Sequence, residues 1–380
     1  MGQKRKACKE GRKAIATAVA DRGGAGPRIT MAHGAGGSIM GSFIKATILG
    51  NLKSCVIQGK RPEVPVEALD DAGVMDGIVL TTDSYVVKPI FFPGGDIGHL
   101  AVSGTINDIA VMGAEPVALS AALIIEEGMP LDDIARVVQG MGRASKQAGV
   151  PIITGDTKVV ERGALDQIFV NTAGIGRDWD VLRKDLDIVR AHRPHEGRWL
   201  TDASVRPGDV IIVSGTLGDH GIALLSFREG YGFESTLQSD ERPMNDLVAA
   251  ALNAGGVAAM KDPTRGGLAN TLNEWSEKSG VGIEIDEETI PLKEAVTSAC
   301  EMLGMDPLTI GNEGKVVLSV VPELAEDVLK AIRRNEAGKD AALIGKAMPK
   351  KELKGVVLRT VVGGRRIVDP PAGDPVPRIC

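Results

Sequence analysis

The chain has 380 residues, 43% of them hydrophobic and 25% charged, the balance of a globular protein with a real core and, at roughly 150 residues per domain, room for two or three domains. Its 44 basic and 50 acidic side chains leave a net charge of −6, and Phe 6, Trp 3 and Tyr 2 are all its aromatics, which argues against a nucleic-acid binder built on basic patches and stacking platforms. No run of 18 apolar residues occurs, so no membrane-spanning helix is expected and the protein is expected to be cytoplasmic.

Residues 1–28 hold eight Lys/Arg and two acids. This basic extension lacks the uncharged apolar core of a signal peptide and reads as a solvated, disordered arm. HGAGGSIMGSFI, from His33, sets glycines before an apolar periodic stretch, a loop opening a helix. Such a loop can line a polyphosphate with backbone N–H groups, yet it matches neither GxxxxGK[ST] nor GxGxxG, and alone it reads first as a plain turn. IVLTTDSYVV from Ile78 is a β-branched strand with Asp83 near its exit. A helix follows in DIGHLAVSGTINDIAVMGA, a strand in AEPVALSAALII, a helix over Leu131–Ala148, and strands in PIITGDTKVV and QIFVNTAGIG. Together these make one α/β unit over 29–177.

The charged stretch 178–206 lacks a clean period and reads as a domain junction. A second α/β unit over 207–349 follows, with strands in DVIIVSG, VGIEID and KVVLSVV and helices over 221–227, in PTRGGLANTLNEWSEKSG and over 323–333. GVVLRTVVGGRRIVD, within 350–369, predicts a hairpin turning at Gly363 and Gly364. The last segment, PPAGDPVPRIC over 370–380, has four prolines and reads as a mobile, extended arm of about 34 Å.

Three aspartates, Asp83, Asp108 and Asp156, lie in apolar flanks, where an unpaired buried carboxylate would cost several kcal/mol. Each needs a helix N-terminus, a salt bridge or a cation. Mg²⁺ takes one or two carboxylates and completes its shell with water and phosphate, so dispersed aspartates suit a metal–nucleotide site as well as they suit capping. Asp262, in KDPTRGG, is a fourth candidate that also reads as an ordinary turn residue. Lys158 and Glu313 read as solvated charges or, in a phosphoryl-transfer site, as charge stabiliser and general base. His33 and His99 are single histidines of the kind that more often cap or pack.

The four cysteines show no CxxC spacing, which argues against a disulfide framework and a thiolate zinc site. Cys380 is different. A thiol at the end of a proline-rich arm suits a group carrier that loads at one place and reacts at another.

HGAGG from His33, TTDS from Thr81, TINDIAVMGAEP from Thr105, ITGDTKVV from Ile153, PTRGGLA from Pro263, GNEGKVVL from Gly311 and the terminal PRIC together resemble the HypE family of hydrogenase-maturation carbamoyl dehydratases. The resemblance runs over about 29–380, and PRIC is its specific mark. The aspartate and glycine motifs are similar to those of the wider aminoimidazole ribonucleotide synthetase-like superfamily, with thiamine-monophosphate kinase and selenophosphate synthetase.

The resemblance implies a two-domain α/β (α+β) fold, a homodimer whose N-terminal sheets pair into a barrel, and a separate C-terminal α/β domain with an extended tail. It implies ATP-dependent dehydration of an S-carbamoyl group on Cys380 to a thiocyanate, the source of cyanide for [NiFe] hydrogenase. ATP and Mg²⁺ would be the cofactors. A carbamoyltransferase, HypF, would be the donor, and a HypC–HypD iron scaffold the acceptor. By matching motifs, Asp83, Asp108, Asp156 and Asp262 would hold metal; His33, Gly34, Gly36, Gly37, Asn107 and Thr157 would hold nucleotide; Cys380, Lys158 and Glu313 would carry the chemistry. A small-molecule kinase or synthetase of the superfamily would not need Cys380. A non-catalytic assembly scaffold would bind partners without ATP turnover.

Overall fold

The computed structural model describes residues 28–52, 59–230, 237–373 and 375–380. Nearly all of the basic extension, with Cys8, and also Cys55, lie outside the described residues. The loop at 34–37 runs straight into helix α1 (Gly37–Phe43), which continues through a π-turn (Ile44–Ile48).

The N-terminal unit comprises β1 (Gly73–Met75), β2 (Ile78–Tyr85), the small ladder β3 (Phe91–Phe92) and β4 (Gly95–Asp96), helix α2 (Ile97–Val111), β5 (Glu115–Glu126), α3 (Leu131–Ala148), β6 (Ile152–Val160) and β7 (Ile168–Arg177). Its main sheet has the order β1-β2-β7-β5-β6, with only β5 and β6 parallel. In β2 the pattern is strictly alternating up to Thr81, so Val79, Thr81 and Tyr85 face inward while Ile78 and Leu80 face out. Helix α2 covers the inner face and is apolar on nearly every side: His99 and Asp108 are its only positions that are not buried. Asp96 caps it, accepting from Gly98 N and His99 N. Outside α2 lies α3, amphipathic and closed by Gly149 in the left-handed region.

The segment 178–206, expected to be an aperiodic junction, instead carries a helix, α4 (Asp180–His192), whose Leu182, Leu186 and Val189 are buried. These sit at i, i+4 and i+7, one helical face that the intervening Arg183, Lys184, Asp187 and Arg190 hide in a linear reading.

The C-terminal unit comprises β8 (Val210–Val213), α5 (Asp219–Glu229), α6 (Asn245–Ala254), β9 (Val257–Lys261), α7 (Gly267–Ser279), β10 (Val281–Asp286), α8 (Glu294–Leu303), β11 (Val317–Val320), α9 (Ala325–Arg333), β12 (Ala342–Pro349), β13 (Val356–Arg359) and β14 (Arg365–Ile367). Its sheet has the order β14-β13-β10-β12-β8-β11-β9, antiparallel except for β10 with β13. One core, around α4, α6 and α9, extends to Ile109 of α2 and to Met112 just after it, and so joins the two units; another packs α7 on the opposite side of the sheet. No helix among the described residues is long and apolar enough to cross a membrane.

The end of the chain, read from the sequence as an extended arm, is seated against the body of the protein. Val376 is 1% exposed and Ile379 2%, and Val86 N and Lys88 N donate to the backbone oxygens of Cys380 and Arg378 at 3.1 and 3.3 Å. Proline cannot donate to a ladder, but backbone oxygens need no N–H to accept, and the three residues after Pro377 lie against the segment that follows β2.

Candidate active site

The site is a buried cluster where the two units meet, built from strand exits, one helix face and the returning tail. Thr81, on β2, donates its hydroxyl to Asp108 Oδ2 at 2.8 Å and reaches Asp71 O at 3.0 Å. Two residues further, Asp83 Oδ2 accepts from Tyr85 Oη at 2.9 Å. Asp108 projects from one of the two open positions of α2. Asp262 follows β9, and Lys261 beside it pairs with Asp71 at 2.6 Å.

These carboxyls repel one another. Burial, then Asp83, Asp262 and Asp71, push Asp108 well above the usual carboxylate range. Burial raises Asp262 to about 6 against the pull of Lys261, with Asp83 adding to the rise. Burial, Asp262, Asp83 and Asp240 push Glu313 well up. Glu313 is 3% exposed, and its Oε1 has no hydrogen-bond partner among the described residues. An orphaned buried carboxyl oxygen beside like charges is a proton acceptor in waiting.

Arg265 is a second cation facing this cluster, beside Lys261. Cys380 first, then Asp83, Glu313 and Tyr85, strengthen its hold on its proton against burial. Cys380 is half-buried, and its backbone oxygen accepts from Val86 N. The thiol end of the chain therefore belongs to the same electrostatic neighbourhood as Asp83 and Glu313.

The glycine loop closes one side. Gly36 and Gly37 have φ of +78° and +69°, which favours glycine. A Cβ on Gly36 would stand 3.0 Å from Arg265 O, and one on Gly37 2.1 Å from Pro371 O. The loop thus packs on the Arg265 turn and on the root of the tail. Gly34 meets nothing within 4 Å. His33 engages Thr30 through Nδ1 and sets its ring edge-on to Phe43, a local cap.

The Asn107 amide, expected to touch nucleotide, is bonded within the chain: Oδ1 accepts from Met244 N at 2.7 Å, and Nδ2 donates to Arg242 O at 3.1 Å and reaches Glu313 O at 3.5 Å. It ties α2 to the 242–244 segment. Asp156, Thr157 and Lys158 do not join the cluster within one chain. They lie on β6, the exposed edge of the sheet, where Asp156 and Lys158 pair at 2.7 Å and are 61% and 66% exposed. The register Asp83↔Thr172↔Ala121↔Gly155 separates them from Asp83 by three strand spacings, about 14 Å.

Asp71, Arg265, Asp240 and Lys315 were missed as site residues. Asp240 accepts from Glu313 N and pairs with Lys315 at 2.9 Å. Only the DxxR spacing in DPTRGG could have flagged Arg265; Asp71 was legible as one more aspartate beside β1. Among the described residues no three His, Cys, Asp or Glu side chains stand close enough to hold a metal unaided. The donor set fits Mg²⁺ bound through one or two carboxylates, its remaining ligands being water and phosphate.

Two family models match: AIR synthase related protein, N-terminal domain, over residues 69–177, and the C-terminal domain of the same proteins over 206–358. The carbamoyl dehydratase HypE of Rhizobium leguminosarum bv. viciae is 48% identical, over 93% of this chain and 95% of the relative. A solved HypE–HypF complex contains a chain 44% identical, with a TM-score of 0.75 over 86% of this chain and 100% of that one. HypE solved in complex with ATP is 39% identical, with a TM-score of 0.73 over 93% and 100%. With a relative this similar over nearly its whole length and both halves matched, the chain belongs to the HypE carbamoyl dehydratases, within the AIR synthase related proteins.

Proposed function

We propose that the chain, a cytoplasmic enzyme, dehydrates an S-carbamoyl group carried on Cys380 to a thiocyanate at the expense of ATP, and so supplies cyanide for [NiFe] hydrogenase. The observation that carries the reading is the inward seat of Cys380 beside Arg265, in the neighbourhood of a protonatable Glu313. The carbamoyl oxygen is a poor leaving group, so it first takes the γ-phosphoryl group of ATP, releasing ADP. The nitrogen then loses its two protons as the C–O bond breaks, phosphate departs, and the carbon is left triply bonded to nitrogen on sulfur. Glu313 is suited to take a proton because its buried, raised carboxylate is strongly basic. Arg265 offsets charge gathered at the tail. Asp83, Asp108 and Asp262 would offer carboxylates to Mg²⁺, one or two per ion, and the metal would neutralise phosphate charge. The positive-φ loop at Gly36 and Gly37 would cover phosphates.

Asp156, Thr157 and Lys158 would act in the site of a second copy. Ile78, Leu80, Ile124 and Ile175 are 56%, 57%, 38% and 40% exposed on one sheet face, and β6 leaves an unpaired edge, an arrangement that suits a homodimer closed through these sheets. HypF would load the carbamoyl group and HypC–HypD would receive cyanide. The test is the mass of the peptide spanning 355–380 after incubation with carbamoyltransferase, carbamoyl phosphate and ATP. One carbamoyl group should appear and then lose the equivalent of one water. Cys380→Ser should show neither change; a carbamoyl gain on that variant would move the site elsewhere.

A further inference from the structure

His220, the second residue of α5, is fully buried and has no part in the chemistry above. Its Nε2 lies 2.8 Å from the carbonyl oxygen of Ile379. A carbonyl only accepts, so Nε2 carries the proton. Burial lowers the imidazole pKa against the influence of Asp240, with Lys315 adding to the lowering, and keeps the ring neutral. Nδ1 is then an acceptor, and the hydroxyl of Ser239, 2.7 Å away, donates to it. Ser239 is itself fixed: its N–H donates to Pro93 O at 2.8 Å, and its Oγ accepts from Glu241 N at 3.1 Å. The edge of the His220 ring also packs against Phe92. The tautomer and the direction of the Nε2–H bond are therefore set by the protein.

The side chain of Ile379 sits in a matching seat. A Cβ on Gly221 would come within 3.2 Å of Ile379 Cδ1, and one on Gly311 within 2.9 Å. Two glycines leave room for one isoleucine, and His220 grips the carbonyl that follows its Cα. That carbonyl is bonded to the nitrogen of Cys380.

We propose that His220 is a positioning residue for the known reaction: by clamping the Ile379 carbonyl in the Gly221–Gly311 seat, it fixes how far the Cys380 thiol enters the site. The proposal rests on the tail carrying the reacting group, and its test is independent of that chemistry. Cys380 is alkylated with iodoacetamide without ATP or carbamoyl donor, and the rate is read from the 355–380 peptide. His220→Phe keeps the ring and loses the donor, and is expected to raise the rate roughly tenfold. His220→Gln keeps a donor and an acceptor and should return most of the protection. Ser239→Ala removes the proton that fixes the tautomer and should raise the rate about threefold. On protein carbamoylated beforehand, the Phe variant should lose kcat for dehydration while KM for ATP holds.

A wild-type alkylation rate in His220→Phe, or in Ser239→Ala where the Phe variant does not fold, overturns the clamp. So does a Gln variant as fast as the Phe variant, which would assign the effect to aromatic packing. Wild-type protein that makes no thiocyanate, yet shows the rise on substitution, would overturn the functional reading and leave the clamp standing.

Discussion

The backbone N–H of Glu313 donates to Asp240 Oδ1 at 3.2 Å. Asp240 also pairs with Lys315, and although burial opposes its charge, Lys315 holds its carboxyl below the usual range. Asp240, its charge favoured by Lys315, thus anchors the main chain of a neighbour whose own carboxyl is pushed the other way. Glu313→Gln keeps this backbone contact and the side-chain volume and removes the basic oxygen. It should lower kcat by about 10²–10⁴-fold with ATP affinity unchanged, read as phosphate release from carbamoylated protein in single turnover. Full activity would remove Glu313 from the chemistry.

Lys158 is exposed on the edge of its own sheet, so its expected role is in a partner's site. Lys158→Ala and Glu313→Gln should each be inactive as homodimers. Mixed by refolding or co-expression, they should regain about a quarter of wild-type turnover, because half of the dimers are mixed and each then has one complete site. No regain would place Lys158 outside the chemistry or within its own chain's site.

Asp185 bears on stability. It is fully buried on α4, where Oδ1 accepts from Val257 N at 2.8 Å, and burial raises its pKa to about 8 although the backbone N–H groups of Val257 and Gly256 oppose the rise. The folded pKa lies above the ordinary 3.8, so the folded state binds the proton more tightly. The contribution is complete below pH 3.8 and declines until the pH passes about 8. Asp185→Asn is neutral at every pH. It should flatten the fall in Tm between pH 5 and 8 and raise Tm at pH 8 by a few degrees. An unchanged slope in thermal melts would show that Asp185 is charged when folded.

Gly37 meets the root of the tail, and its φ is +69°. Gly37→Ala adds both backbone strain and a collision with Pro371 O, which a Cβ would approach to 2.1 Å. It should loosen the tail, speeding alkylation of Cys380 several-fold, and lower Tm by a few degrees. Unchanged alkylation would mean that the tail's root and tip are held independently.

Much of the secondary structure was legible because period and turn chemistry agree along the chain: α3 alternates at helical spacing, β2 is β-branched, and Gly363 turns the β13–β14 hairpin. Helix α4 escaped because its apolar face is only three residues wide between charges. Strand β9, VAAMK, has a single β-branched residue, yet it is buried along its whole length by the neighbours that cover it, a fact of tertiary packing. At the site, carboxylates stood out because apolar flanks make them anomalous. Arg265 and Asp240 did not, since a charged residue in a loop looks the same whether it faces water or a buried cluster. The proline-rich end was read by what proline forbids, a ladder donor. What seats it is a pair of backbone oxygens and an isoleucine side chain, which proline leaves untouched.

The docking of Arg378 and Cys380 onto Val86 and Lys88 makes the chain its own ligand. A substrate borne on the same molecule arrives at a local concentration fixed by tether and seat, so dehydration should be indifferent to dilution of the protein as long as the proposed dimer stays assembled. Loading and unloading are the steps that need partner proteins, and both need the tip released. A tighter grip at Ile379 therefore favours the enclosed step and slows the two exchanges with partners, so the fastest cycle belongs to an intermediate hold.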